Sequence, residues 1–519
     1  MKEQTTTYLS SRANPLFISI LLFAAAFLVR YFMANVQIIT MDGILYIKTA
    51  KGIGSGNLGS ISDYGFFNLY SFLIALFQRF LHDWEFSAKM VSVLFGSLTV
   101  VPLFLLTRGL FNEKIALLSA LFYIVHPHFA EYASDVLREP VFWFFSVVAL
   151  WLAWEGISRS KYWLFVLSSL ATILAVFTRM EGAMVLVIVV LWILWSSVSG
   201  RTKRRTVLIY ICVFLFTLPI LASPGLLLLK NRLHRWEVGL SVDKIPQLMS
   251  AQSNPMKLES EIPVQASGRF QAFFELSARH RYSSFLMEVV YKFIKSFGFP
   301  LILLFLFGVY RRRAIPYSQG DALVLIWFLV ALCGSFAYVA KTYYLGTRHG
   351  LLMAFPALIW AGTGFLEARE KIRNWLAGQK VVSKYFRFDA VFLFCLVMIL
   401  LVPQTASSYR SDKAELKKAG IALKHEGFSA AVFIVQPSLE RVAFYADSDA
   451  IELPNKAGNE MITDLASHYK GRLMIIDERT IENYRPGFLK MVFSSGFKRV
   501  IIPGMDGYKE YAFLIYRIQ

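Results

Sequence analysis

A succession of apolar runs constrains this chain more than any other feature. The runs cover roughly 14–33, 86–107, 115–130, 140–157, 162–178, 183–199, 206–229, 296–310, 321–340, 350–366 and 390–404. A helix needs about 20 apolar residues to cross the hydrocarbon core of a bilayer, so the pattern predicts about eleven transmembrane helices. Composition agrees: 56% of the 519 residues are hydrophobic and 17% charged, which excludes an ordinary soluble globule. The first run carries no small-residue cleavage site and further runs follow it, so it is expected to be a retained anchor. Every second connection is basic, from Lys2 and Arg12 through Arg108, Arg159, Arg201 and Arg311 to the stretch between Arg369 and Arg387. The positive-inside rule places these connections and the N-terminus in the cytoplasm. The net charge of +19 is therefore read as topology and not as a nucleic-acid surface. Cys212, Cys333 and Cys395 fall within predicted spans and are expected to be small core hydrophobes, with neither a disulfide framework nor a metal site implied.

Eleven crossings that start inside leave the C-terminus outside, so the chain divides into a transmembrane domain, 1–404, and an external or periplasmic α/β domain, 405–519. The long external connections are 34–85 and 230–295. The first holds "FFNLYSFLIALFQRFL" (66–81), which is expected to lie as an amphipathic helix in the interface. In the tail, "AAVFIVQ" (430–436), "RLMIID" (472–477), "RVIIP" (499–503) and "AFLIYRI" (512–518) read as strands, with helical spacing at 411–427 and between the first three. The "GIGSG" at 52–56 follows no strand and is expected to be a loop, not a nucleotide cradle.

Ionisable residues inside or beside spans are costly, and they usually line a cavity or an ion path. Here they collect at one level of the predicted topology. Asp42 follows the first span in "TMDGILYIKTAKGIGSG" (40–56). "HPHFAEYASDVLREP" (126–140) supplies His126, His128, Glu131, Asp135, Arg138 and Glu139. "TRMEG" (178–182) supplies Arg179 and Glu181, and "KTYYLGTRHG" (341–350) supplies Lys341, Tyr343, Tyr344, Arg348 and His349. Individually these are read equally well as solvated or snorkelling charges, as turn residues or as structural ion pairs. Together, a carboxylate beside several cations at a lipid–water boundary suits a substrate with a phosphate head and a greasy tail, because arginine matches phosphate in shape and lysine supplies a point charge.

In the order and spacing of these segments, with "SAKMVSVLFGSLTVVPLFLLTRGLFNEKIALLSALFYIVHPHFAEYAS", "REPVFWFF" and "RHGLLMAFPALIWAGTGF", the chain resembles the C-type (GT-C) membrane glycosyltransferases. Within them it resembles the polyprenyl-phosphate-sugar-dependent branch of protein O-mannosyltransferases and aminoarabinose transferases. It has Asp-Gly at 42–43 where many relatives have Asp-Glu. The resemblance covers about 14–370. It implies an integral protein of the inner or plasma membrane that transfers a sugar, with inversion, from a polyprenyl-phosphate-linked donor to an acceptor hydroxyl on the external face. The acceptor would be a glycan, a lipid or a protein. A phosphate leaving group needs charge neutralisation, and the acceptor oxygen needs a base within hydrogen-bond reach. On that reading Asp42 is the base and Tyr46 orients it, while Arg348, Lys341 and Arg179 hold the phosphate. Asp135 and Glu139 orient the acceptor, assist the base or contribute to a metal site. Tyr343, His349 and Glu181 orient substrate. No particular cofactor is implied, and the use of a divalent metal is left open. The rival classes are a secondary transporter, which would show matched halves and helices broken at the midplane, and a non-catalytic envelope scaffold.

Overall fold

The computed structural model describes residues 14–57, 68–200, 202–229, 280–312, 319–378, 389–407, 414–428, 432–435, 439–453, 472–477, 482, 487–488, 490, 497–499 and 513–518. They form two compact units. One joins Met1–Asn35 to Thr49–Ser408, and the other joins Val36–Lys48 to Tyr409–Gln519.

The first unit is helical. Seven helices among the described residues are long and apolar enough to cross a bilayer: Pro15–Val36, Trp84–Leu110, Glu139–Ser158, Met180–Val198, Arg204–Ser223, Gly320–Thr342 and Thr347–Trp375. The other four predicted spans are helical but shorter or broken. Trp163–Thr178 and Phe394–Thr405 are short apolar helices. The run at 115–130 is interrupted where His126 takes an extended backbone between Glu113–Val125 and Pro127–Ala133, because the residue before a proline is driven out of the helical region. The run at 296–310 begins at an elbow of 112° between Arg281–Phe297 and Phe299–Tyr310. Gly298 sits at the elbow with φ 82 and ψ 148, a conformation open in practice only to glycine. The predicted connection 230–295 thus ends in a helix, and residues 230–279 lie outside the described residues. The interfacial segment forms the helix Leu69–Leu81, capped by Asn68, while residues 58–67 also lie outside the description.

Side chains of both hands of the unit meet in an aromatic core. Phe129 lies 4.6 Å from Phe355 and 5.0 Å from Trp143, and Tyr123 stacks on Phe355 at 5.6 Å; such pairs add about 0.5–1.5 kcal/mol each beyond area burial. The helices Phe299–Arg312 and Thr347–Gly378 cross backbone to backbone. A Cβ on Gly308 would overlap the Trp360 carbonyl oxygen, and one on Gly364 would overlap that of Leu304. Small residues at a crossing allow this close approach, the usual basis of helix association in lipid. The outward faces remain greasy, with Phe32, Phe216 and Val198 all more than half exposed. The three cysteines lie on these faces. Cys212, Cys333 and Cys395 are free and exposed, which corrects the expectation that they are core residues: a span apolar on every side gives no sequence cue to which face is buried.

The second unit contains a five-stranded sheet of order β2-β1-β3-β5-β4, with β1 Val432–Val435, β2 Asp449–Glu452, β3 Leu473–Asp477, β4 Phe497–Arg499 and β5 Phe513–Ile518. β1 runs parallel to β2 and β3, while β5 runs antiparallel to β3 and β4. The strand at 449–452 was not expected from sequence, being too short and too polar to show an alternating pattern. The described strand near 499–503 starts earlier, and residues 500–512 lie outside the description. Helices Ala414–Leu423 and Glu440–Tyr445 pack their apolar residues, Leu416, Leu423, Val442 and Ala443, with Phe433 and Val435 of the sheet. Gly420 permits the two helices to approach, since a Cβ there would fall 2.5 Å from the Tyr445 Cβ. The stretch Val36–Lys48, with the start of the helix Met41–Gly54, belongs to this unit.

Candidate active site

Antiparallel helices bring alternate connections to the same end of a bundle, and in the first unit three connections meet in this way. Glu139 opens the helix Glu139–Ser158 ahead of Pro140, which suits a first turn. Its carboxylate lies at the positive end of the helix dipole. At the next connection the helix Trp163–Thr178 ends, Arg179 is extended, and Met180–Gly182 form a single 3-10 turn. Only glycine fits at 182, because a Cβ would lie 2.5 Å from the Val176 nitrogen. The fold-back lets one guanidinium serve two carboxylates. Arg179 Nη1 donates to Glu139 Oε1, while its Nε donates to Glu181 Oε2 at 3.2 Å and its Nη2 to Glu181 Oε1. The Phe142 ring lies 6.0 Å from the same guanidinium.

The helix Thr347–Gly378 contributes the third connection. Arg348 Nη1 stands 3.6 Å from Glu139 Oε1, and His349 Nε2 stands 3.8 Å from Glu181 Oε1. The His349 ring stacks on Tyr338 with centroids 4.3 Å apart. Exposure grades across the cluster. The side chains of Glu139 and Arg179 are 2% and 6% exposed, while that of Arg348 is 39% exposed. Arg348 therefore carries the cluster's charge to the surface, and it does so at a helix N-terminus, where a cation is disfavoured unless an anion accompanies it. Two buried atoms of the cluster, Glu139 Oε2 and His349 Nδ1, make no hydrogen bond, and a buried carboxylate oxygen is among the costlier groups to leave so. A small apolar cavity of about 30 Å³ adjoins Glu181, lined by Phe142, Trp143, Ser146, Met184, Trp327 and Phe355 among others.

The sequence-predicted residues thus divide. Glu139, Arg179, Glu181, Arg348 and His349 form one cluster. Asp135 is fully buried on the loop before Glu139 and accepts from the Val136 N–H at 2.7 Å. Lys341, Tyr343 and Tyr344 are exposed where the helix Gln319–Thr342 ends. Tyr343 has φ 56 and meets Phe285 edge-on at 5.6 Å. His126 caps the helix Pro127–Ala133 at the break before Pro127, while His128 lies within that helix, not in a turn, and pairs with Glu131 at 3.3 Å. Asp42 and Tyr46 belong to the second unit; Asp42 is half-buried in the first turn of its helix and Tyr46 is buried. Among the described residues no group of three or more His, Cys, Asp or Glu is disposed to hold a metal ion. Sequence reasoning missed Tyr338 and Phe142, aromatic residues in apolar runs whose contact with the charged residues nearby depends on helix rotation.

A family model described as dolichyl-phosphate-mannose-protein mannosyltransferase matches residues 68–226. No curated protein sequence matches the chain at a significant level. Among solved structures, apo ArnT from Cupriavidus metallidurans is similar with a TM-score of 0.59 and 10% identity, covering 97% of this chain and 98% of that one. ArnT bound to undecaprenyl phosphate gives 0.55 and 11%, with 98% and 99% covered. The archaeal oligosaccharyltransferase AglB from Archaeoglobus fulgidus, in complex with an inhibitory peptide and a dolichol-phosphate, gives 0.51 and 12%, with 97% and 74% covered. The chain thus shares the fold of ArnT and AglB over nearly its whole length, and the sequence match to dolichyl-phosphate-mannose-protein mannosyltransferases covers 68–226.

Proposed function

We propose that this chain is an inverting glycosyltransferase that takes a sugar from a polyprenyl-phosphate-linked donor and gives it to an acceptor hydroxyl at the external face of the membrane. The observation that carries the proposal is Arg348: a half-exposed guanidinium at a helix N-terminus, 3.6 Å from a buried carboxylate with an unpartnered oxygen. This lies within a fold shared with a protein solved bound to undecaprenyl phosphate. On this reading the short and broken helices complete up to eleven crossings. The N-terminus is cytoplasmic, and residues 405–519 form an external domain.

Asp42 takes the proton of the acceptor hydroxyl, and Tyr46 orients it. The acceptor oxygen attacks the anomeric carbon from the side opposite the phosphate. The bond from that carbon to the phosphate oxygen breaks, its electron pair stays with the phosphate, and configuration inverts. The departing polyprenyl phosphate gains negative charge, which Arg348 and Lys341 neutralise; stabilising charge where it develops is the main contribution expected in such a step. Arg179 contributes by holding Glu139 and Glu181 in place, leaving Glu139 Oε2 to receive a hydrogen bond from the acceptor with Asp135 behind it. Tyr343 and His349 border the sugar.

Mass spectrometry of surface glycans and glycoproteins tests the proposal. A sugar-bearing species should vanish when the gene is deleted and return with the wild-type gene. An unchanged glycan profile, together with solute uptake by proteoliposomes of the purified protein, would overturn the enzyme reading in favour of transport.

A further inference from the structure

Within the second unit, the peptide that leads into Asp42 is gripped by side chains from a single short helix. Ile39 is fully buried, and its backbone lies in an irregular stretch with no sheet or helix to pair it. Buried backbone groups in such a place must find partners or cost stability. Both partners come from Glu440–Tyr445. The Ile39 N–H donates to the Tyr445 hydroxyl at 3.2 Å, and Arg441 Nε donates to the Ile39 carbonyl at 2.7 Å. Arg441 and Tyr445 are four residues apart and so occupy one face of the helix, matching the N–H and C=O that an extended residue presents on one side. Directly after the grip, Thr40 caps the next helix by accepting from the Gly43 N–H at 3.0 Å, and Asp42 lies in its first turn. Six residues after Asp42, Lys48 pairs with Glu440 at 2.7 Å. The gripping helix is itself fixed, with Val442 and Ala443 buried against the sheet and Lys417 over the Tyr445 ring at 4.8 Å.

The geometry points to the C-terminal unit as the positioning device for Asp42, with Arg441 and Tyr445 as the residues that fix the backbone leading into it. This inference rests on the reading of Asp42 as the base. The tail then acts on catalysis by aiming a carboxylate, not only by recognising an acceptor. Two hydrogen bonds to one residue, one on each of its flanking peptide groups, fix both its position and its rotation. An exposed ion pair such as Lys48–Glu440 adds little, so the function of the grip is concentrated in Arg441 and Tyr445.

The test uses the full chain in lipid nanodiscs and in cells. Tyr445→Phe removes a single hydroxyl and Arg441→Ala removes the guanidinium, while Arg441→Lys keeps a donor for the Ile39 carbonyl. Hydrogen exchange should accelerate by at least about tenfold in peptides spanning 37–44 for Tyr445→Phe and Arg441→Ala, since the protecting contact is local. Formation of the sugar-bearing product should fall by about tenfold or more, because small misplacement of a reacting group is costly. Affinity for undecaprenyl phosphate should stay within about twofold of wild type, and Arg441→Lys should recover part of the product. Unchanged exchange, unchanged product despite faster exchange, or a matching loss of undecaprenyl phosphate affinity in both variants would overturn the inference. Asp42→Asn, assayed in parallel, separates the two levels. If it keeps full product, the base reading itself falls and the inference with it; if it loses product while Tyr445→Phe and Arg441→Ala do not, only the positioning role falls.

Discussion

The cluster around Arg179 and the stretch around Ile39 both fix polar groups out of water, but by opposite means. In the first, side-chain charge holds side-chain charge: one guanidinium lies between two carboxylates, with Arg348 and His349 at the margin. In the second, neutral backbone groups are held by a hydroxyl and a guanidinium from one helix. The difference has an energetic consequence. A buried charge network is marginal as a whole but expensive to break, since each loss strands the remaining charges. A backbone grip costs two hydrogen bonds to lose, one per gripping side chain, yet it moves whatever the backbone carries. Damage to the cluster should therefore appear first as lost stability, and damage near Ile39 as lost activity.

Asp42→Asn offers the largest effect on the activity side. Turnover of donor should fall by about 10²–10⁴-fold, the usual contribution of a positioned base, with the amount of folded protein unchanged. An active variant, measured by release of polyprenyl phosphate, would remove the second region from the chemistry altogether. Arg179→Ala is the counterpart in the cluster. It leaves Glu139 and Glu181 buried without their common partner and should destabilise the protein by about 3–5 kcal/mol, read from chemical unfolding in detergent. Full stability combined with lost lipid binding would make the cluster a ligand site instead of a frame.

Arg348→Ala should have a smaller effect and sharpen the boundary between the two behaviours. Its side chain is 39% exposed, so the melting temperature should barely move. Undecaprenyl phosphate should bind about tenfold more weakly, some 1.4 kcal/mol; unchanged affinity by calorimetry would return Arg348 to a structural ion pair. Lys48→Ala should change least. The pair it forms with Glu440 leaves Lys48 43% exposed, so less than about 1 kcal/mol is at stake. A larger loss in a melting experiment would mean that the helix after Thr40 depends on charge as well as on the backbone grip.

The cluster was legible in sequence because lipid leaves few choices. Charged residues in "TRMEG", "REP" and "TRHG" interrupt long apolar runs, and strict alternation of helices sends their connections to one end. Which charge meets which was not legible, nor was the stacking of His349 on Tyr338, since pairing depends on helix rotation and an all-apolar face encodes none. The break at Gly298 was hidden for a related reason. A proline or glycine within an apolar run is tolerated in membrane helices, so the run reads as continuous. Least visible was the helix Glu440–Tyr445. Six residues are too few for a helical period, and its bonds to Ile39 span about four hundred positions in the chain. Asp42 could be singled out as an isolated carboxylate, but nothing local announced what holds it.

The bare crossing of Gly308 and Gly364 leaves no room for an added atom, so any substitution there must tilt one helix against the other. From Gly364 to Arg348 is about 24 Å of helix at 1.5 Å per residue, so a small tilt at the crossing is magnified at the guanidinium. A rotation of about 5° there would carry the tip some 2 Å, more than the margin of a hydrogen bond. A single methyl group added deep in the bundle would thus be read out at the far end as a misaimed cation.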